Sequence, residues 1–480
     1  MMSPEHLVRG VYANRTLNLR SVQAIGYDMD YTLIHYRTEA WERTAFEHAC
    51  RVLKAGDYPV DGLVFEHDHY LQGLVIDLEL GNLVKATRFG YVIQAQHGTR
   101  QLSFDELRTT YAGITVDLND SRFRFMNTLF TISESALYAQ LVDRLDNGTI
   151  PGPLGYDELY RVVSGALDES HMTGALKAEI VADPDRFCDL DPGTARTLMD
   201  QRLAGKRLLL ITNSDWTYTS AMMSYAFDRH VPSGSWRDLF DMVVVAASKP
   251  QFFSANPPAY RVVDPDRALL QPHWGPFETG EVYHGGSARR VEQSLQLTGA
   301  EILYVGDHLF GDVHVTKSAL RWRTALIMRE LEAEIAAAAD FASAESELRR
   351  LMTEKADLED RLAHARLALL RSNADDVPDD DVTGGDVPGE TVEALREALK
   401  RLDERVAPLA RAASELGNPT WGPMMRAGND KSLFARQVEK YADIYTSRVA
   451  NLGRRTPYAF LRAARTSLPH DIMPREIAPE

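Results

Sequence analysis

Apolar residues along this chain fall in short unbroken runs, each ending in a polar loop and most followed by a stretch with helical spacing. Ala24-Ile25-Gly26-Tyr27 runs into Asp28-Met29-Asp30, and Trp41, Ala45, Phe46, Ala49 and Leu53 then recur on one face of a helix over 38–53. Arg207-Leu208-Leu209-Leu210-Ile211 runs into Thr212-Asn213-Ser214-Asp215, ahead of a helix beginning near Trp216. Phe240-Asp241-Met242-Val243-Val244-Val245-Ala246 leads to Ser248-Lys249-Pro250, and Ile302-Leu303-Tyr304-Val305 leads to Gly306-Asp307-His308-Leu309-Phe310-Gly311-Asp312. Arg323-Thr324-Ala325-Leu326-Ile327-Met328 predicts the final strand. Runs without polar alternation suit strands buried on both faces, so this order predicts an α/β fold around a parallel sheet. Such sheets gather ligands beyond the carboxyl ends of their strands, where all four polar loops would lie.

The stretch between the first two runs has a different texture. Residues 62–65 and 73–78 are short apolar segments, and 83–87 with 91–94 reads as a hairpin across Arg88-Phe89-Gly90. After Asn127 the pattern is mostly helical, with a helix over 133–146. We therefore expect 1–54 and 204–330 to form the core and 55–203 to be an insertion into it, with 280–284 in a short antiparallel excursion. Beyond the core, 331–370 carries Leu348, Leu351, Leu358, Leu362 and Leu369 at spacings that predict a long helix. Residues 372–390 are acidic, with Gly and Pro and no periodicity, and read as a mobile linker to a second helix over 391–416. The two helices would form a hairpin spanning 331–416, with contact between subunits of a homo-oligomer as the second reading. Residues 417–480, with Trp421 and an aromatic-rich helix over 434–445, are expected to pack back on the core.

Composition narrows the partners. A chain of 480 residues that is 44% apolar can bury more than one core. Its net charge of -16 argues against a general nucleic-acid surface, though it leaves room for one basic pocket holding a small anion. Cys50 and Cys188 are the only cysteines, so no disulfide framework is implied. No apolar run reaches membrane length and no basic-then-apolar leader opens the sequence, so a soluble cytoplasmic protein without a membrane partner is expected.

The polar loops share one chemistry. Asp28, Asp30 and Asp307, with Asp312 as a fourth, offer hard oxygen ligands suited to Mg2+, while Lys249, Thr212 and Asn213 offer donors for a phosphoryl group. Asp28 would attack phosphorus, and Asp30, two residues on, would pass a proton to the leaving oxygen. Plainer readings stand beside these: Ser214 and Asp215 also suit helix capping, and a lysine past a strand also reaches solvent. Histidines and cysteines at structural-zinc spacing are absent, and so is a Gly-rich Lys-Ser/Thr loop.

Asp28-Met29-Asp30-Tyr31-Thr32-Leu33, Ile211-Thr212-Asn213-Ser214, Lys249-Pro250 and Gly306-Asp307-His308-Leu309-Phe310-Gly311-Asp312 resemble the four motifs of the haloacid-dehalogenase superfamily, in the form used by the cytosolic purine 5'-nucleotidases. Asn127-Thr128-Leu129-Phe130 and the segment from Leu433 to Tyr445 carry the narrower likeness. The resemblance implies a Rossmann-like parallel-sheet core with a large inserted cap, a helical C-terminal extension, and Mg2+-dependent release of phosphate from a purine nucleoside monophosphate. A nucleoside is the alternative acceptor for the phosphoryl group; another small phosphomonoester as substrate, or an idle nucleotide-sensing scaffold, are the other readings. By position it implies Asp28 as nucleophile, Asp30 as acid-base, and Asp28, the Asp30 carbonyl and Asp307 as metal ligands. Thr212, Asn213 and Lys249 match phosphate-binding positions. In the cap, Phe130 is similar to the residue that stacks on the base, and Asp168, His171 and Lys177 keep the spacing of groups that reach base and phosphate. Thr131 stands where the family has a base-reading asparagine, and Ser164 where an arginine is expected, with Arg161 one helical turn away. Asn127, Phe310, Gln437 and Tyr441 resemble positions lining a nucleotide effector site, with Lys440 in place of an arginine.

Overall fold

The computed structural model describes residues 7–464 apart from 151, 173, 233 and 373–390, so the expected linker lies outside the described residues save for Ser372, which ends a helix. Among the described residues ten strands make the central sheet: β1 (Val11–Ala13), β2 (Ala24–Tyr27), β3 (Arg207–Ile211), β4 (Met242–Val245), β5 (Ala259–Asp264), β6 (Leu269–His273), β7 (Val282–Gly285), β8 (Ile302–Gly306), β9 (Arg323–Ile327) and β10 (Ile444–Thr446). Their order is β1-β10-β9-β8-β2-β3-β4-β7-β5-β6. From β10 to β7 every pairing is parallel, while β1 and the β5–β6 hairpin join antiparallel at the two edges. The protein is thus a mixed α/β fold dominated by a parallel sheet.

β2 lies inside this sheet, between β8 and β3, and every residue of it is buried. Gly26 pairs with Tyr304, and a Cβ at Gly26 would come within 2.9 Å of the Tyr304 ring. The glycine therefore lets a large aromatic lie across the central strand. Helix Thr38–Ala55 follows and buries Trp41, Ala45, Phe46, Ala49 and Leu53, the face its periodicity predicts.

Between β2 and β3 the chain builds a second, antiparallel sheet in the order Arg100–Gln101, Val92–His97, Asn82–Ala86, Val75–Asp77, Phe123–Phe125. The predicted hairpin is its central pair, and 62–65 forms no strand. Helices Ile132–Asp146 and Tyr156–Met172 then pack against each other and against Thr38–Ala55.

Three expectations need correction. Residues 280–284 do not leave the parallel sheet: β7 runs parallel to β4, and antiparallel pairing begins only at its far side, with β5. Val282 and Tyr283 are both buried, as an interior strand requires. β9 is not the final strand, because β10 adds beside it from the C-terminal stretch. The helix expected over 434–445 spans Leu433–Tyr441 and gives way to β10, since Asp443 is drawn into the sheet edge. Fully buried, Asp443 accepts from the Thr324 amide at 3.0 Å and pairs with Lys317 at 2.5 Å and Arg323 at 3.4 Å.

Beyond β9 the long helix is broken at Phe341 into Leu331–Asp340 and Ala342–Ser372. Val392–Ser414 returns along the latter, with Leu351, Leu402 and Val406 buried between them and Lys355 bonded to Asp403 at 2.6 Å. The two long helices pair within one chain. The stretch before the last helix is anchored on the second sheet, where the buried Lys85 ammonium donates to the carbonyls of Trp421 and, at 2.8 Å, Pro423. No helix among the described residues is long and apolar enough to cross a membrane.

Asp443 ties β10 to β9 and to the segment holding Lys317. Asp443→Ala leaves the buried Thr324 amide without its acceptor and the partly exposed Lys317 and Arg323 without their counter-charge, and the expected loss is about 1–3 kcal/mol of unfolding free energy, read from urea denaturation followed by circular dichroism.

Candidate active site at the carboxyl ends of the parallel strands

Asp28, one residue beyond β2, is held from two sides. Its Oδ1 accepts from the Met29 amide at 2.8 Å, and its Oδ2 lies 2.7 Å from Lys249 Nζ. The same ammonium reaches Asp312 Oδ1 at 2.8 Å and the Tyr304 hydroxyl at 3.2 Å, and that hydroxyl donates to the Ile211 carbonyl at 3.0 Å. Lys249 is positioned through its backbone. Its amide donates to Asn213 Oδ1 at 2.6 Å, and Asn213 Nδ2 donates to its carbonyl at 3.2 Å. The loop after β3 therefore fixes the loop after β4, next to the cis Lys249-Pro250 peptide. Thr212, fully buried, uses its hydroxyl to accept from the Ser214 amide at 3.1 Å, which tightens the same turn. Tyr31, Ala246 and Ser248 take left-handed backbone with φ of 51°, 46° and 58°, conformations that cost side-chain-bearing residues free energy and cluster where function demands them.

Asp307 enters from β8. Its oxygens face the hydroxyls of Thr32 at 3.3 Å and Thr128 at 3.4 Å, the first from the Asp28 loop and the second from the stretch before Phe130. Among the described residues no ion pair reaches Asp307. Oxygens of Asp28, Asp307 and Asp312 lie within 4.8 Å of one another, all three residues being buried. Burial first, then mutual repulsion, holds Asp307 well above the usual carboxylate range. Burial also raises Asp28, against the pull of Lys249. For Lys249 burial works the other way, yet Asp28 and Asp312 outweigh it and keep the ammonium protonated. One ammonium pairs with two of the three converging carboxylates and leaves Asp307 without a cationic partner among the described residues, and hard oxygens converging on one point are the donor set of a small divalent cation.

Asp30 is half-buried and both its oxygens are occupied: Tyr36 donates to Oδ1 at 2.6 Å and Ser214 to Oδ2 at 2.8 Å. Asp312, weighed in sequence only as a fourth oxygen donor, is the second counter-ion of Lys249. Its one signal was its place in a glycine-bounded loop after β8. Tyr304, Tyr36, Thr32 and Thr128 carried no signal, since nothing local marks which hydroxyl will face a carboxylate from another element.

The remaining predicted residues divide. Phe130 is partly buried, edge-on to Tyr31 at 4.8 Å and Trp41 at 5.6 Å between ring centres, which sets it beside the Asp28 loop. Thr131 spends its proton on the Thr128 carbonyl at 2.6 Å. Lys177 lies 3.4 Å from Asp215, at the end of the Thr212 loop. Asp168 is exposed on helix Tyr156–Met172, and the side chain of His171 is outside the described residues. Asn127 and Phe310 meet through a long 3.5 Å hydrogen bond from the Phe310 amide, Phe310 lies edge-on to Tyr441 at 6.2 Å, and Gln437 is buried on the helix that ends at Tyr441. These belong to a separate group on the Asp307 side.

Comparison with known proteins places this chain among a set of relatives. The model of the 5' nucleotidase family matches residues 11–473. A 5'-nucleotidase domain-containing protein of Dictyostelium discoideum is 26% identical over 477 residues, covering 96% of this chain and 74% of that protein. The 5'-nucleotidase domain-containing protein 2 of Homo sapiens is 26% identical over 479 residues, 96% of this chain and 85% of its own length. The protein of that name from Rattus norvegicus is 30% identical over 346 residues, 68% of this chain and 60% of its own.

Gly306 permits the carboxylate cluster, because a Cβ there would stand 2.4 Å from Asp312 Oδ2. Gly306→Ala should push the Asp312 side chain off Lys249 and lower stability by about 1–3 kcal/mol, the usual cost of overpacking. A thermal melt and a crystal structure of the variant check both effects.

Proposed function

Since this chain belongs to the 5' nucleotidase family, we propose that it is a 5'-nucleotidase of the haloacid-dehalogenase type, hydrolysing nucleoside 5'-monophosphates, purine ones foremost, through an aspartyl-phosphate. The observation that carries this reading is Asp28 at the carboxyl end of β2, paired with Lys249 and adjoining Asp307 and Asp312. In this reading 1–54 and 204–330 are the catalytic core, 55–203 the cap that recognises substrate, 331–416 a helical hairpin and 417–480 the segment closing the core.

Lys249 and Thr212 bind the phosphate, while Asn213 acts by holding the Lys249 backbone. Asp28, the Asp30 carbonyl and Asp307, with Asp312 beside them, would hold Mg2+, which when bound offsets repulsion between the phosphate and the attacking carboxylate. An Asp28 oxygen bonds to phosphorus as the bond to the 5' oxygen breaks, and Asp30 supplies the proton that the leaving alkoxide takes. Asp30 then removes a proton from water, whose oxygen attacks the phosphoryl group and releases Asp28 and inorganic phosphate. Phe130 offers the base a stacking face, with Thr131, Asp168, His171 and Lys177 as polar neighbours of the nucleotide. Asn127, Phe310, Gln437 and Tyr441 are proposed as the lining of an effector site, and the free cysteines Cys50 and Cys188 suit a reducing cytoplasm.

Phosphate release over a panel of nucleotides and sugar phosphates, with and without added nucleoside, tests the reading and separates hydrolysis from transfer. Asp28→Asn should abolish release while the far-ultraviolet circular dichroism stays unchanged, and steady release from that variant would sink the mechanism. Removal of divalent cations by chelation should likewise stop turnover, with Mg2+ restoring it. Phe130→Ala should lower kcat/KM for a purine monophosphate by roughly 5- to 150-fold, the worth of base stacking. It should spare a small aryl phosphate; an equal fall for both substrates, with a lower melting temperature, would assign Phe130 to packing against Tyr31 and Trp41.

A further inference from the structure

The proposed chemistry needs Asp30 held in one orientation while it gives and then takes a proton, and the structure fixes that carboxyl group more firmly than a surface acid would require. Tyr36 donates to Asp30 Oδ1 at 2.6 Å, and the Tyr218 hydroxyl lies 3.0 Å from that of Tyr36. A phenol carries a single proton, and that of Tyr36 goes to Asp30 Oδ1. The contact between the two phenols must then run from Tyr218 to Tyr36. Ser214 donates to Oδ2 at 2.8 Å from the other side. The direction of every bond in this chain follows from the acceptor at its end.

Each donor comes from a different element. Tyr36 is fully buried and is pinned by an antiparallel bridge to Cys188 and by a ring contact with Trp41, 4.4 Å between centres. Tyr218 is buried in the first turn of helix Trp216–Phe227, with its amide donating to the capping Asp215 at 2.9 Å. Lys177 stands 5.1 Å from the centre of the Tyr218 ring. With both oxygens tied to hydroxyls on rigid neighbours, the Asp30 carboxylate cannot turn about its Cβ–Cγ bond without breaking a buried hydrogen bond. That is the condition for a group that must meet first a leaving oxygen and then a water in one orientation.

We propose that Tyr36 and Tyr218 are positioning residues for Asp30, Tyr36 by direct hydrogen bond and Tyr218 only through Tyr36. The inference rests on the reading of Asp30 as acid-base. It makes a claim that packing does not: the two phenols act in series, so removing the second after the first changes nothing further.

Steady-state kinetics on a nucleoside monophosphate with Tyr36→Phe, Tyr218→Phe, the double variant and Asp30→Asn test this. A hydrogen bond to a charged group supports an expected fall in kcat of about 10- to 100-fold for Tyr36→Phe, with KM within about twofold. Tyr218→Phe should lower kcat by about 2- to 10-fold, as a neutral hydrogen bond would. The double variant should match Tyr36→Phe alone. Effects that multiply in the double variant, or losses that appear in KM together with a lowered melting temperature, overturn the proposal in favour of packing. If Asp30→Asn lowers kcat and Tyr36→Phe does not, the proposal fails while the acid-base reading stands; if Asp30→Asn leaves kcat unchanged, that reading fails and the proposal falls with it. Should Tyr36→Phe not fold, Tyr218→Phe decides alone: a lower kcat at unchanged KM and melting temperature upholds the proposal, and an unchanged kcat overturns it.

Discussion

A buried ammonium between two carboxylates organises this molecule. Lys249 sits 2.7 Å from Asp28 and 2.8 Å from Asp312, and supplies the opposite charge that carboxylates at that depth need as a partner. Keeping three groups from three strand ends in contact demands that β2, β4 and β8 hold a fixed register. Parallel pairing through β3 supplies it, and Asn213 completes it by clamping the Lys249 backbone. An apolar replacement would pack more cheaply, so the arrangement makes sense as a site that needs charge.

The site is also where distant parts of the chain meet. Thr128, from the stretch between the second sheet and helix Ile132–Asp146, points its hydroxyl at Asp307, and Phe130, two residues on, packs against Tyr31 of the Asp28 loop. Side chains on the stretch between β2 and β3 are thereby coupled to the carboxylates rather than hung above them. On the other flank, Asp443 brings β10 against β9 and holds Lys317, which lies in the helical turn Thr316–Leu320 after Asp312. The last part of the sequence thus braces the segment that presents Asp312.

Much of this was legible in the chain itself. Unbroken apolar runs at 24–27, 207–211 and 302–305 mark strands because burial on both faces leaves no polar alternation, and the polar residues following them mark loops that collect at one edge of a parallel sheet. Helix Thr38–Ala55 was readable from five apolar residues at helical spacing, all of which are buried. Asp28, Lys249 and Asp307 stood out for the same local reason: each closes or follows a strand that has no other use for a charge.

Tertiary structure decided what local pattern cannot encode. β10 is only three residues long and is preceded by a buried aspartate, so no periodicity distinguishes it from the end of a helix; it became a strand because β9 offered an open edge and Lys317 and Arg323 a counter-charge. Likewise 280–284 joined the parallel sheet because β4 had a free side. Asp312 as partner of Lys249, Tyr36 and Tyr218 behind Asp30, and Asn213 as a clamp are pairings between residues far apart in sequence. A residue's own neighbours set whether it is strand, loop or helix, through sterics and burial that act over a few positions. Its hydrogen-bond and ion-pair partners are set by strand order, which only the folded sheet specifies.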